Sequence, residues 1–335
     1  MFNLFNFVRS RIRTRMSAVF DVLRGLIIRA LYLKGYIVHH ALTPFILLGW
    51  SVALCLAVTI TYSNEMITQP LKVSYLNIGQ GDSVLIQTPD HHSLMIDGGP
   101  PTANILSEVG AVMPFYRNHI DAIMATHPDQ DHIGGLAAVI QKYSPNLFLW
   151  SGVHSGTRSD VKLSDKVNES IEKKKMISLL ARRGMKIVLD RQNNIVLDIK
   201  FPDRDTSTWI KKTNDASIVS RLTYGTTSFL FTGDSPINIE HYLVSKNWIE
   251  HTDILKVGHH GSKTSTSDEF IKALSPSYGI ISVGSGNRYG HPTQEVLDVM
   301  KQNNVNILRT DKDGRVTMES DGEKITNPIY EPNHN

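Results

Sequence analysis

Cysteine is almost absent from this chain of 335 residues. Cys55 is the only one, so no intrachain disulfide framework exists and no metal ligand beyond residue 64 is a thiolate. Internal repeats and low-complexity stretches are also missing, and 41% hydrophobic with 20% charged residues is ordinary globular composition. Between Ala41 and Asn64 there is no Asp, Glu, Lys or Arg. Acid is scarce before that run too: residues 1–64 hold seven Lys/Arg (Arg9, Arg11, Arg13, Arg15, Arg24, Arg29, Lys34) against Asp21 alone. Residues 65–335 then carry 28 basic and 31 acidic side chains, so the formal net charge of +3 belongs to the N-terminus. That excludes a generally cationic nucleic-acid binder for the larger part of the chain.

What is present before residue 65 points to a membrane. Phe45 to Tyr62 is mostly apolar, at the lower edge of the length that crosses a bilayer. The basic residues precede it, and the positive-inside rule then places the N-terminus in the cytoplasm and everything after the run outside. No small-x-small cleavage pattern follows at Ser63-Asn64-Glu65-Met66, so an uncleaved anchor is expected. Val19 to Ile37 mixes Leu, Ile and Val with Arg24, Arg29 and Lys34, suiting an amphipathic helix on the inner leaflet or a loose helix before the anchor. The expected organisation is a basic cytoplasmic segment 1–40, a transmembrane helix 41–64, one large domain 70–326 and a disordered tail 327–335. The protein would sit in the cell membrane as a single-pass protein.

The chemistry centres on Thr126-His127-Pro128-Asp129-Gln130-Asp131-His132-Ile133-Gly134-Gly135, where four candidate metal ligands fall within six residues. The apolar run Ile120 to Ala125 before it reads as a buried strand, and Leu136 to Ile140 after it has helical spacing. Rigid elements on both sides therefore hold His127, Asp129, Asp131 and His132 still. Imidazole with carboxylate suits first-row divalent metals, and four such groups are enough to begin a two-metal site.

Further motifs follow the same strand-end logic. Val73 to Ile78 and Val84 to Thr88 read as strands around Gly79-Gln80-Gly81, with Asp82 able to point back at the metal loop. Pro89 to His92 is a hairpin turn, and Leu94 to Ile96 ends at Asp97-Gly98-Gly99. Lys142 to Trp150 leads into a third strand, with His154 in the loop after it. Glu172 to Arg183 has the spacing of an amphipathic helix closed by Gly184. Arg158 to Lys212 holds 14 Lys/Arg against 8 Asp/Glu, a phosphate-steering surface or simply a solvated helix face. Ile218–Tyr224 and Ser228–Phe231 form a hairpin ending at Gly233-Asp234, a carboxylate well placed to bridge two metals. Asp253 to Val257 is a strand ending in His259-His260. Tyr278 to Val283 leads to Asn287-Arg288-Tyr289-Gly290-His291-Pro292, where an Arg and a His can grip and protonate a phosphate oxygen. Ile307–Thr310 and Arg315–Met318 are expected to pair around Asp311–Gly314.

These motifs carry a resemblance. His-x-Asp-x-Asp-His-x-Gly-Gly is similar to the His-x-His-x-Asp-His signature of the metallo-β-lactamase fold. Asn77–Ser83, Ile96–Gly99, Phe231–Asp234, His259–Ser262 and Asn287–Pro292 resemble, in order, the hydrolase domain of the competence family ComEC, over about Lys72 to Lys324. The resemblance implies an αββα sandwich with one N-terminal transmembrane helix in front. It also implies two divalent metal ions, manganese or zinc. His127 and Asp129 would hold one, Asp131, His132 and a His of the 259–260 pair (His260 by analogy) the other, with Asp234 bridging. Asp97, with Asp82, would support them from behind. His259, His291 and Arg288 would serve the leaving group. Asp129 replaces the usual second His, an oxygen-richer set that shifts preference from zinc towards manganese.

The family departs from this chain in having a polytopic channel, so a separate DNA-translocation channel is an expected partner beside DNA and the membrane. The expected activity is a membrane-anchored nuclease linked to DNA uptake or processing. Its rivals are hydrolysis of a small or wall-attached phosphoester such as phosphorylcholine, and a non-catalytic tethered binding subunit.

Overall fold

A computed structural model of the chain describes residues 21–24, 47–57, 69–101, 104–114, 116–206 and 212–331. Two compact units divide it, Met1–Ile67 and Thr68–Asn335. In the first, residues 21–24 and 47–57 are helical and exposed. Among the described residues no helix is long and apolar enough to cross a membrane. The remainder of the expected anchor, and most of the basic segment before it, lie outside the described residues.

The second unit runs β1 Leu71–Tyr75, β2 Val84–Gln87, β3 Ser93–Ile96, α1 Asn104–Val112, β4 Ala122–Ala125, α2 Gln130–Ile133, α3 Leu136–Tyr143, β5 Leu147–Trp150, α4 Arg158–Glu172 and β6 Ile177–Leu180. It continues through β7 Lys186–Asp190, β8 Ile195–Phe201, β9 Val219–Tyr224, β10 Thr227–Phe231, α5 Ile237–Ser245, β11 Ile254–Lys256, α6 Asp268–Leu274 and β12 Tyr278–Ile281. The last elements are α7 Gln294–Gln302, β13 Asn306–Arg309, α8 Thr310–Asp313, β14 Arg315–Ser320 and β15 Ile329–Glu331. Eight strands form one sheet in the order β15-β14-β1-β2-β3-β4-β5-β6, and seven form the other, β13-β12-β11-β10-β9-β8-β7.

The side-chain pattern explains the layering. Successive strand residues point to opposite faces. In β4, Ala122 and Met124 join the core between the sheets, while Ile123 and Ala125 join a second core beneath α1, α3 and α4. In β10, Phe229 and Phe231 enter the inter-sheet core and Leu230 a third one beneath α5, α6 and α7. Strands covered on both faces read as unbroken apolar runs, so the chain folds as an αββα sandwich. Truncating one such buried side chain to Ala costs about 2–5 kcal/mol.

Three expectations are corrected. Glu172 to Arg183 is not a helix. The helix is α4, which ends where Lys174 turns left-handed (φ 54), and Ile177–Leu180 pairs in parallel with β5. Ile177, Leu179 and Leu180 are exposed on an edge strand, where a short apolar run fits either period. Gly184 (φ 90) turns the chain from β6 into β7. Second, β13 and β14 do not pair. The former is parallel to β12, the latter antiparallel to β1, and α8 carries the chain from one sheet to the other. Third, residues 329–331 of the expected tail form β15, whose Ile329, Tyr330 and Glu331 pair with Thr317, Val316 and Arg315, and residues 332–335 lie outside the described residues. Arg315 also contacts both Glu331 and Glu108, a polar clasp that composition does not reveal.

Candidate metal centre

Parallel pairing of β3 with β4, and of β10, β11 and β12 with one another, places their carboxyl ends together within each sheet. The loops leaving those ends meet across the sandwich.

Asp97 organises the first sheet's contribution. It holds a left-handed backbone (φ 57). Its two carboxylate oxygens accept from the Thr126 N–H (2.8 Å) and the Thr126 hydroxyl (2.7 Å), and Oδ2 also lies 2.8 Å from His132 Nδ1. A carboxylate on Nδ1 fixes the ring orientation and leaves Nε2 as the ligand atom. Gly81 permits the close approach of the β1–β2 turn: a Cβ there would stand 2.2 Å from the Asp131 carbonyl oxygen.

The second sheet supplies Asp234 after β10 and the His259-His260 turn after β11. Both histidines are left-handed (φ 49 and 54), which throws their rings in different directions. His260 is buried: Nδ1 lies 3.0 Å from the Ser282 carbonyl and 3.2 Å from Asp82 Oδ1, and Nε2 is 3.2 Å from Asp131 Oδ2. His259 sits nearer the surface, Nε2 3.6 Å from Asp234 Oδ2 and Nδ1 2.9 Å from the Thr264 hydroxyl.

Around Asp234 the distances converge. His132 Nε2 is 3.2 Å from Asp234 Oδ1, His127 Nε2 3.9 Å from Oδ2, and His260 Nε2 3.7 Å from Oδ2. Ligand atoms of His127, His132 and Asp234 lie within 4.8 Å of one another, as do those of Asp131, His132 and His260. Asp129 Oδ2 stands 3.7 Å from His127 Nε2. His127 Nε2, His132 Nε2 and Asp234 Oδ1 are all buried without a hydrogen-bond partner. Each orphaned buried polar atom costs about 1–3 kcal/mol. Nitrogen and carboxylate oxygen converging in this way form a donor set that fits divalent metal.

Charge is distributed unevenly. Burial drives the His127 pKa down to about 4, helped by neighbouring His132. Burial also opposes charge on His260, but Asp234 and Asp82 outweigh it and raise the ring to about 10. For Asp131, burial is overcome by the hydrogen bond from His260 and the charge of His132, and its pKa is lowered. Burial raises Asp129.

The other expected residues are placed differently. His291 faces His259 with ring centroids 5.9 Å apart, and its Nδ1 has no partner. Arg288 is exposed, and its guanidinium lies over the Tyr289 ring and bonds the Tyr289 hydroxyl at 3.1 Å. His154, not assigned a role from sequence, bonds Asp160 at 3.0 Å and packs on Trp150, apart from these clusters.

Sequence reasoning passed over Lys256. It is 2% exposed and contacts Asp82, supplying a cation beneath the histidines. A lone Lys inside the buried strand Ile254-Leu255-Lys256-Val257 was the available signal. Also missed were Thr126, whose N–H and hydroxyl donate to Asp97, and Ser217. Ser217 Oγ accepts from the Asp234 N–H at 3.2 Å, and the loop docks through Ile218 N–H to the Thr126 carbonyl at 3.0 Å.

Fold and donor set together define a metal-dependent hydrolase. Residues 76–285 match the family model described as the Metallo-beta-lactamase superfamily, and the chain belongs to that superfamily. It is 30% identical to ComE operon protein 3 of Bacillus subtilis over 278 residues, 78% of this chain and 34% of that protein. It is also 30% identical to Competence protein ComA of Neisseria gonorrhoeae over 267 residues, 79% of this chain and 34% of that protein. The chain thus spans about a third of the length of these relatives. Among solved structures, CmlA, a diiron β-hydroxylase from Streptomyces venezuelae, shares the fold with a TM-score of 0.50 at 13% identity, over 75% of this chain and 54% of that one.

Proposed function

We propose that the chain is a phosphodiesterase acting on DNA outside the cell membrane, tethered by residues 41–64 and working beside a separate translocation channel. The observation that carries the chemistry is the convergence of His127 Nε2, His132 Nε2 and Asp234 Oδ1, buried and partnerless, beside Asp131 and His260. DNA as the substrate is supported by the similarity to two competence proteins, and the tether by the uncharged run behind seven basic residues. His127 and Asp129 would hold one ion, Asp131, His132 and His260 a second, and Asp234 would reach both. The oxygen-rich set favours manganese over zinc. Bound there, two divalent ions supply a more acidic water and charge stabilisation at phosphorus.

The protein's own groups do the rest. Asp97 keeps Nδ1 of His132 occupied so that Nε2 faces the centre. Lys256 holds Asp82 anionic, and the Ser282 carbonyl, with the Asp82 charge beside it, holds Nδ1 of His260. His259 and His291 stand at the mouth, where a substrate oxygen would arrive. Burial, with His259 and His260 beside it, lowers the His291 pKa, so at neutral pH its ring is neutral and offers a hydrogen bond to the leaving oxygen.

The test uses the full chain in detergent, stripped of metal and reloaded with manganese or zinc, with Asp131→Ala as control. End-labelled single-stranded DNA and bis-p-nitrophenyl phosphate are the substrates. Metal-dependent cleavage of both, lost in the variant, is expected. Cleavage of the small ester alone would move the substrate to a small phosphoester, and failure to bind metal would overturn the centre itself.

A further inference from the structure

A cavity of about 160 Å³ opens beside His127, between the carboxyl ends of β4 and β5 and the inner face of α4. None of the hydrolytic roles uses it. Its apolar wall is Phe148, Trp150, Leu163 and Val167. His154 forms one side, its ring 4.8 Å from that of Trp150. The loop carrying His154 is tied to the metal loop: Ser155 Oγ donates to the Pro128 carbonyl at 3.0 Å. The cavity and the candidate centre thus share His127 as a common wall.

Size and chemistry narrow the occupant. An apolar cavity of about 150 Å³ holds a benzene-sized ring, whereas pockets for whole drug-sized ligands run to about 300–1,000 Å³. One flat ring fits here. Two polar side groups on α4 are neutral, Ser164 and Asn168, able to meet hydrogen-bonding ring edges. Asp160, the carboxylate at the cavity, is 5% exposed and already engaged. It accepts from the Ser155 N–H (2.8 Å) and the Gly156 N–H (2.9 Å), and lies 3.0 Å from His154 Nδ1. An aromatic wall with no anion to spare is a poor cage for a quaternary ammonium and a good platform for a base. Lys162 on α4, and Lys174 and Lys175 just after it, are exposed cations that a polyanionic strand could meet, while Lys173 is paired with Glu169 at 2.5 Å.

We infer that this cavity is a subsite for a single nucleobase, stacked on Trp150 and His154, belonging to the nucleotide next to the phosphate under attack. The inference rests on the phosphodiesterase reading and deepens it.

The test is binding to the full chain, metal-free, of a thymidine trinucleotide, whose bases are single rings, carrying a 5′ fluorophore that is quenched on binding. Trp150→Ala removes the platform and Val167→Trp fills the cavity, with thermal unfolding and metal content confirming that each variant is folded. Saturable quenching by wild type is expected, with affinity about 5- to 100-fold weaker in both variants. Thymidine 5′-monophosphate should displace the probe and phosphorylcholine should not. Absent quenching in wild type, equal affinity in wild type and variants, or displacement by phosphorylcholine would each overturn the base subsite. Wild-type hydrolysis of bis-p-nitrophenyl phosphate, measured separately, judges the hydrolytic reading alone: a base-binding protein that never turns the ester over keeps the subsite and loses the phosphodiesterase.

Discussion

Two of the buried carboxylates outside the candidate ligand set, Asp82 and Glu240, are treated in opposite ways. Asp82 follows β1 and answers to charge. Burial raises its pKa, but Lys256, His260 and His132 outweigh that and hold it below the usual range. Glu240, in α5, answers mainly to backbone, with smaller help from the Ser267 side chain and His241. It accepts from the N–H groups of Thr266 (2.5 Å) and Ser267 (2.8 Å), and burial raises its pKa. The Asp82 side is an electrostatic lattice whose members need one another. The Glu240 side is a scaffold that pins the segment following His259 and His260 with little imported charge. The centre therefore has one side tuned by ions and one side fixed by hydrogen bonds.

The comparison breaks most sharply at Lys256. Lys256→Met leaves Asp82 buried without its strongest counter-charge, with only His260 and His132 beside it, and removing one partner of a buried pair costs about 3–5 kcal/mol. Thermal unfolding of the metal-free chain should show that loss, and Asp82→Asn added to it should recover a large part. If Lys256→Met unfolds at the wild-type temperature, the lattice is not what holds this side. The next effect lies at the mouth. His291→Gln should lower kcat by about 10²–10³-fold if the neutral ring hydrogen-bonds the leaving oxygen. Metal content, read by elemental analysis, should stay at the wild-type level, since His291 is not among the converging donors.

Much of this arrangement was legible in sequence. His127 to His132, Asp97, Asp234 and His260 stand at strand ends after apolar runs or glycines, and those local signals survive folding because the strands are buried on both faces. What escaped was non-local. Lys256 looks like any strand lysine until Asp82 is known to face it across 174 positions. Ser217 meets Asp234 only because the 213–218 loop docks on the metal loop. The turn at 173–176 failed for another reason. Met176, Ile177, Leu179 and Leu180 fit a helix and an edge strand equally well, and only pairing with β5 decides.

A smaller effect sharpens the contrast from the first-sheet side. Asp97→Asn keeps shape but weakens the hold on His132 Nδ1, and loss of such a supporting carboxylate costs about 10–100-fold in metal affinity. Competition with a chelator measures it. Wild-type affinity in this variant would mean that Thr126 alone positions the loop.

The smallest effect concerns pH and separates the two carboxylates directly. Asp82 has a folded pKa below its unfolded value, so its contribution to stability is present above the unfolded pKa and is lost as pH falls through the folded one. Glu240 has a folded pKa above its unfolded value, so its contribution is present below the unfolded pKa and is lost as pH rises through the folded one. Glu240→Gln removes the second titration and leaves the first. Metal-free wild type and variant, unfolded by denaturant across the acid-to-neutral range, should therefore differ by an amount that shifts in favour of the variant as pH rises. A difference that stays flat would mean that the two backbone N–H groups offset the burial of Glu240 in full. A difference moving the other way would place Glu240 under an unrecognised cation, and the two sides of the centre would then be built on one principle rather than two.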